Sequence, residues 1–129
     1  MAKTKTGYVD GFVFIVPNKK LAAYKQMATL GAKVWMKHGA LDYKECMGDD
    51  LTPSMGGMKH GGFSKLTKMK RGETVWFSYI TFKSKAHRDQ VNKKVMKDPM
   101  MNDPKFATME MPFDMSRFSY GGFKVVVSA

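Results

Sequence analysis

Residues Tyr8 to Asn18 read YVDGFVFIVPN, and this stretch predicts how the fold begins. Its side chains alternate between two faces, which is the pattern of a β-strand with one face buried. One face carries Val9, Gly11, Val13 and Ile15. The other face carries Tyr8, Asp10, Phe12, Phe14 and Val16. Pro17 ends the strand, and Asn18 is placed to cap a following helix.

The rest of the chain continues this pattern of strands and helices. One helix is predicted to end at Lys37 with Gly39 as its terminator, and another to begin at Ser84 and continue to about Lys97. Three further strands are predicted at Ala40 to Gly48, Glu73 to Phe82 and Arg117 to Val127. The order β-α-β-β-α-β predicts one α+β domain over residues 1–129. Its expected form is ferredoxin-like, an antiparallel four-stranded sheet with two helices on one face.

The segment from Leu51 to Gly72 does not fit the pattern of strands and helices. It contains two glycine pairs, Gly56-Gly57 and Gly61-Gly62, and no periodic apolar residues. We therefore predict a long irregular loop there.

Length and composition limit what the chain can be. It has 129 residues and is 43% hydrophobic, which suits a single core, and it contains no apolar run long enough to cross a membrane. The first residues include no apolar stretch of the signal-peptide type, so we expect a cytoplasmic protein. The single cysteine, Cys46, excludes an internal disulfide and is interpreted as a small buried hydrophobe.

The formal net charge of +11 raises the question of nucleic-acid binding. The lysines are dispersed along the chain, which favours a solvated surface. An RNA-recognition module shares the βαββαβ order, but its strand-three motif is matched only by Arg71-Gly72. Glu73 then stands where an aromatic ring should stack. Nucleic-acid binding is therefore the weaker interpretation.

Nothing in the sequence has the spacing of a known catalytic or metal site. The three histidines, His38, His60 and His87, lie far apart, so neither a metal nor another cofactor is expected. No nucleophile and base can be paired from their spacing, and no catalytic residue is identified.

One face of the sheet is expected to form a homodimer. Gly11 and Gly31 are interpreted as allowing close approach between the first strand and the first helix. The aliphatic face of the strand would then pack on the helices, leaving Tyr8, Phe12 and Phe14 on the helix-free face. An exposed aromatic face is unusual on a soluble monomer, so a second copy is expected to cover it.

Polar residues among the apolar strands predict a small-molecule pocket on that helix-free face. A carboxylate in an apolar cavity is suited to acid–base work or to anchoring a ligand, and Asp10 is the first candidate. Its candidate partners are Arg117, Tyr43 and Trp76. The candidate pocket residues are Tyr8, Asp10, Phe12, Tyr43, Glu45, Trp76 and Arg117. Cofactor-independent catalysis is left open, and the alternative is a non-enzymatic interaction or RNA-binding module.

Several motifs resemble a bacterial family named DUF1428. They are Tyr8-Val-Asp-Gly-Phe-Val, the runs from Val34 to Cys46 and from Arg88 to Pro99, Gly48-Asp-Asp, Met111-Pro-Phe-Asp and Tyr120-Gly-Gly-Phe. The resemblance covers nearly the whole chain, and the segment from Leu51 to Arg71 departs from it by its many glycines and methionines. The resemblance implies a dimeric α+β barrel in which two ferredoxin-like sheets face each other. The wider superfamily includes cofactor-free monooxygenases, isomerases, haem proteins and stress proteins, so the resemblance transfers no reaction and no catalytic residue.

Overall fold

The computed structural model describes residues 5–54, 56–57, 61–104 and 111–129. Its strands are β1 (Tyr8–Pro17), β2 (Asp42–Met47), β3 (Glu73–Phe82) and β4 (Ser119–Lys124), and its α-helices are α1 (Leu21–Lys37), α2 (Gly62–Thr67) and α3 (Lys85–Met96). Short 3-10 turns at Asn18–Lys20 and Met115–Arg117 precede α1 and β4. Strand β3 has the predicted bounds, whereas β2 and β4 are shorter than predicted.

The four strands form one antiparallel sheet in the order β2-β3-β1-β4. The long strand β1 lies in the centre, with Tyr8 opposite Phe82 on one side and opposite Lys124 on the other. The α+β class is therefore confirmed. The element order is not strictly βαββαβ, because α2 lies between β2 and β3 where an irregular loop was predicted.

Helices α1 and α3 pack on the aromatic face of β1, so the predicted assignment of its two faces was wrong. Phe14 and Val16 are buried against Tyr24 and Ala28 of α1 in one core cluster. A second cluster joins Ile80 and Phe82 of β3 to helix residues that include Val34, Val91 and Val95. We call this side of the sheet the packed face and the opposite side the open face.

The two glycines that suggested the wrong face leave room for neighbouring side chains. They do not bring two backbone segments close together. A Cβ atom at Gly11 would lie 3.4 Å from the ring of Phe123, so Gly11 makes room for that ring on the open face. A Cβ atom at Gly31 would lie 3.2 Å from the hydroxyl of Tyr43. Alternation shows which residues share a face, but it does not show which face the helices will cover.

The ends of the helices agree only partly with the predicted caps. Ser84 caps α3, since its hydroxyl accepts a hydrogen bond from the backbone N–H of His87 at 3.1 Å. Gly39 follows α1 with a φ of +110°, the left-handed conformation expected of a terminator. Asn18 does not cap α1. The strand continues through Pro17, and the side-chain oxygen of Asn18 instead accepts a hydrogen bond from Thr74.

The open face is buried at one end and exposed along its middle. Ile15 and Val75 are buried there, and α2 contacts both β1 and β3, so the chain itself covers that end. Phe77 is 45% exposed and Phe123 is 62% exposed. Cys46, paired with Phe77 in the β2–β3 register, is also exposed, and its predicted burial was wrong because it lies on this face of an edge strand.

Candidate functional site

A cavity of about 500 Å³ lies on the packed face, between the sheet, α1, α3 and the segment that leads into β4. The described part of its wall includes eight aromatic side chains and four methionines. The pocket had been predicted on the helix-free face, so its predicted location is corrected together with the assignment of the faces. Few polar groups interrupt this wall, and they form two clusters.

Glu45 on β2 is the centre of the first polar cluster. Its Oε2 accepts a hydrogen bond from the hydroxyl of Tyr24 at 2.8 Å, and its Oε1 accepts one from Tyr43 at 2.8 Å. Ser78 donates a third hydrogen bond to Oε2. Tyr43 and Glu45 share a face because they lie two residues apart on one strand, and Ser78 lies opposite Glu45 in the β2–β3 register. The cluster is complete only when α1 brings Tyr24 onto the sheet.

The two tyrosines of this cluster keep their protons. Burial raises the pKa of Tyr24 and of Tyr43 well above the usual value of 10, and the negative charge of Glu45 raises both pKa values further. Their hydroxyls are therefore hydrogen-bond donors to Glu45 at neutral pH, and neither is available as a phenolate nucleophile.

Asp10 on β1 is the centre of the second polar cluster. Its Oδ1 accepts a hydrogen bond from Nη1 of Arg88 on α3 at 2.8 Å, and only 2% of its side chain is exposed. The guanidinium of Arg88 also lies 5.0 Å from the centre of the Tyr8 ring. Burial raises the pKa of Asp10, while the positive charge of Arg88 and a hydrogen bond to Asn92 act in the opposite direction. The carboxylate is thus paired but still held in an unfavourable environment.

The raised pKa of Asp10 predicts a pH dependence of stability. Because the folded chain binds this proton more readily than the unfolded chain, the contribution of Asp10 to the free energy of unfolding rises as the pH falls towards the ordinary pKa of 3.8. Glu73, Asp98 and Asp114 have lowered pKa values and act in the opposite direction, losing stability on acidification. The difference between the wild-type protein and Asp10→Asn isolates the contribution of Asp10.

We expect the free energy of unfolding of the wild type, relative to Asp10→Asn, to increase as the pH is lowered from about 7 to about 4. Urea denaturation of both proteins across this range measures the difference. A difference that stays constant would show that Asp10 has the same pKa in the folded and unfolded chains.

Four of the seven predicted pocket residues line the cavity: Asp10, Phe12, Tyr43 and Glu45. Tyr8 instead stacks under Arg88, and Trp76 packs its ring 5.0 Å from that of Tyr24 in the core. Arg117 is not the partner of Asp10. It forms a bidentate ion pair with Glu73, with N–O distances of 2.7 and 2.6 Å.

Sequence reasoning missed several polar groups of the two clusters. Tyr24 and Ser78 were not among the candidate pocket residues. Arg88 lies 78 positions from Asp10 in the sequence. The packing of α1 and α3 on the sheet brings Tyr24 and Arg88 to the two carboxylates, and the pairing of β2 with β3 brings Ser78 to Glu45.

The described residues contain no group of three or more His, Cys, Asp or Glu side chains placed to hold a metal ion. His60 lies outside the described residues. None of the described helices has the length and apolar character needed to cross a lipid bilayer.

The chain is similar to proteins whose function is unknown. A family model described as "Protein of unknown function (DUF1428)" matches residues 7–115. The chain is 40% identical over 120 residues to the "Uncharacterized protein YbaA" of Escherichia coli strain K12, which covers 93% of this chain and 97% of that protein. A YbaA protein of Shigella flexneri matches with the same identity and coverage. Both polar clusters, from Asp10 to Asn92, lie inside the matched region.

Proposed function

The chain belongs to the DUF1428 family of proteins of unknown function, and we propose that it binds a small organic molecule in the cavity between its sheet and helices α1 and α3. A volume of about 500 Å³ lies within the range of small-molecule sites. Such sites combine a largely apolar wall with a few polar groups that orient the ligand. The cavity has both properties.

The observation that carries this proposal is the convergence of Glu45, Tyr24, Tyr43 and Ser78 on one point of an aromatic cavity. Protein interiors are close-packed, and voids larger than a water molecule are few because each costs stability. A cluster that served packing alone would be enclosed by side chains. This cluster instead borders open volume.

We also propose that a second copy of the chain covers the open face. Phe77 and Phe123 are exposed there, and the partly buried Val9, Val13 and Tyr79 extend the same apolar surface. Lys44 and Asp42 lie at its β2 edge and pair with each other at 2.6 Å, which gives the patch a polar rim. An apolar surface with a polar rim is the usual anatomy of an interface between copies. The dimeric α+β barrel implied by the family resemblance supports the same arrangement.

Filling the cavity is expected to abolish ligand binding without unfolding the chain. Met27 lines the cavity from α1 and is only partly buried, so Met27→Trp should place its larger ring in the open volume. Ligand-observed NMR with a mixture of neutral, anionic and cationic aromatic fragments should detect binding to the wild type and none to this variant.

The matched control for this experiment is Met36→Trp. Met36 lies on the same helix, is 45% exposed and does not line the cavity, so this variant should bind the fragments as the wild type does. Binding of no fragment to the wild type would disprove the proposed function. Equal binding to both variants would place the ligand site elsewhere.

A further inference from the structure

Building on the proposed function, we infer that the ligand is an organic amine. Its ammonium group meets Glu45 within the cluster of hydroxyls, and its apolar body lies against the aromatic wall of the cavity. Three independent features of the described residues lead to this ligand class: the sign of the cavity's charge, the hydrogen-bonding capacity of the cluster, and the rings beside it.

The charge of the cavity wall is opposite to the charge of the chain. The chain has 22 Lys and Arg residues against 11 Asp and Glu, yet the only charged side chains on the described part of the wall are the carboxylates of Asp10 and Glu45. A site for an anionic ligand would place some of the many cations on the wall. This wall attracts a cation.

The two carboxylates differ in whether their charge is balanced. Asp10 has the Arg88 guanidinium 2.8 Å away. No ion pair joins Glu45 to any Lys, Arg or His in the part of the chain that the structure describes. Glu45 is instead solvated by three neutral hydroxyls. A partly buried carboxylate without a counter-charge is costly, and a cationic ligand group would supply that charge.

The cluster around Glu45 has acceptors left over and no donors. A hydroxyl carries one proton, and Tyr24, Tyr43 and Ser78 each direct that proton to Glu45. Their remaining lone pairs, with those of the carboxylate, can only accept hydrogen bonds. An ammonium group has up to three N–H donors and no acceptor, so it complements the cluster. A ligand carboxylate or phosphate would find no donor there.

Aromatic rings lie directly beside the polar cluster. Tyr24, which donates to Glu45, also packs with its ring centre 5.2 Å from that of Phe14 and 6.0 Å from that of Phe113. Phe113 in turn stacks on Phe118 at 5.1 Å. Aromatic faces attract ammonium groups and also accommodate an apolar body. The ligand class is therefore an aralkyl or alkyl amine and not a free inorganic cation.

Three probes that share a phenethyl body test this inference: phenethylamine, phenethyl alcohol and hydrocinnamate, measured by isothermal titration calorimetry on the wild-type protein. We expect the amine to bind at least about tenfold more tightly than the alcohol and the acid not to bind. Glu45→Gln keeps the shape of the side chain and removes its charge, and should weaken amine binding about tenfold or more and alcohol binding by a clearly smaller factor, because the alcohol carries no charge for Glu45 to balance.

The control is Asp42→Asn. It also removes one negative charge from β2, but Asp42 lies on the open face, so this variant should bind the amine as the wild type does. Comparison of the three probes on the wild type decides the question even if Glu45→Gln does not fold. Binding of the alcohol or the acid as tightly as the amine would overturn the inference but preserve the proposed function. Failure of all three probes, together with failure of every fragment in the NMR mixture, would overturn both.

Discussion

Replacement of Arg88 by methionine is expected to lower the free energy of unfolding by about 3–5 kcal/mol, the usual cost of leaving a buried charge without its partner. Asp10 is the charge left behind, since 2% of its side chain is exposed and Arg88 is its ion-pair partner. Methionine retains much of the apolar stem of arginine, so the loss of charge dominates the change. Urea denaturation at neutral pH measures it.

Two further variants identify the cause of this loss. Arg71→Met removes an exposed arginine and should change the free energy of unfolding by less than about 0.5 kcal/mol. The double variant Asp10→Asn with Arg88→Met removes both charges and should recover most of the lost stability. A double variant as unstable as Arg88→Met alone would show that the contacts of Arg88 with the Tyr8 ring and with Asp89, not the charge of Asp10, explain the effect.

Phe77→Asp is expected to convert a dimer into a monomer. In the proposed dimer this position is buried in both copies, so two unpaired carboxylates would enter the interface, at several kcal/mol in total. That cost raises the dissociation constant by about a thousandfold or more. Light scattering at micromolar concentration should give about twice the 14.6 kDa chain mass for the wild type and the single-chain mass for the variant.

Met36→Asp is the matched control for this experiment. Met36 and Phe77 are both 45% exposed, but Met36 lies on α1, away from the open face. This variant should remain dimeric. A wild-type protein that is monomeric under these conditions would contradict the proposed dimer. Dissociation by both substitutions would show that the interface does not lie on the open face.

The parts of the fold that follow from local pattern were predicted well. The bounds of β3, the Ser84 cap of α3 and the terminating Gly39 depend on neighbouring residues, and each is confirmed. The orientation of β1 was predicted wrongly, because both of its faces are apolar and hydrophobicity alone cannot choose between them. The six-residue helix α2 was missed because it is too short to show an amphipathic repeat.

The candidate site could also be predicted only in part from the sequence. Asp10 and Glu45 could be selected because a carboxylate within an apolar strand is unusual at any position. Tyr43, two residues from Glu45, was also selected. Two further partners of Glu45 could not be selected, since Tyr24 lies 21 positions away and Ser78 lies 33 positions away. The first hydrogen bond depends on how α1 packs on the sheet and the second on how β2 pairs with β3, and no spacing within the sequence encodes either arrangement.

The central place of β1 in the sheet also determines when the fold can be completed during synthesis. A ribosome releases the N-terminal residues first, yet Pro17 pairs with Glu73 and Tyr8 pairs with Lys124. The strand with the most apolar side chains therefore emerges long before either of its neighbours. Contacts between distant parts of a chain form slowly, and unpaired strands are prone to aggregate meanwhile. The sheet can close only after the last residues of β4 have left the ribosome, so truncation at the C-terminus would leave one edge of β1 without its partner.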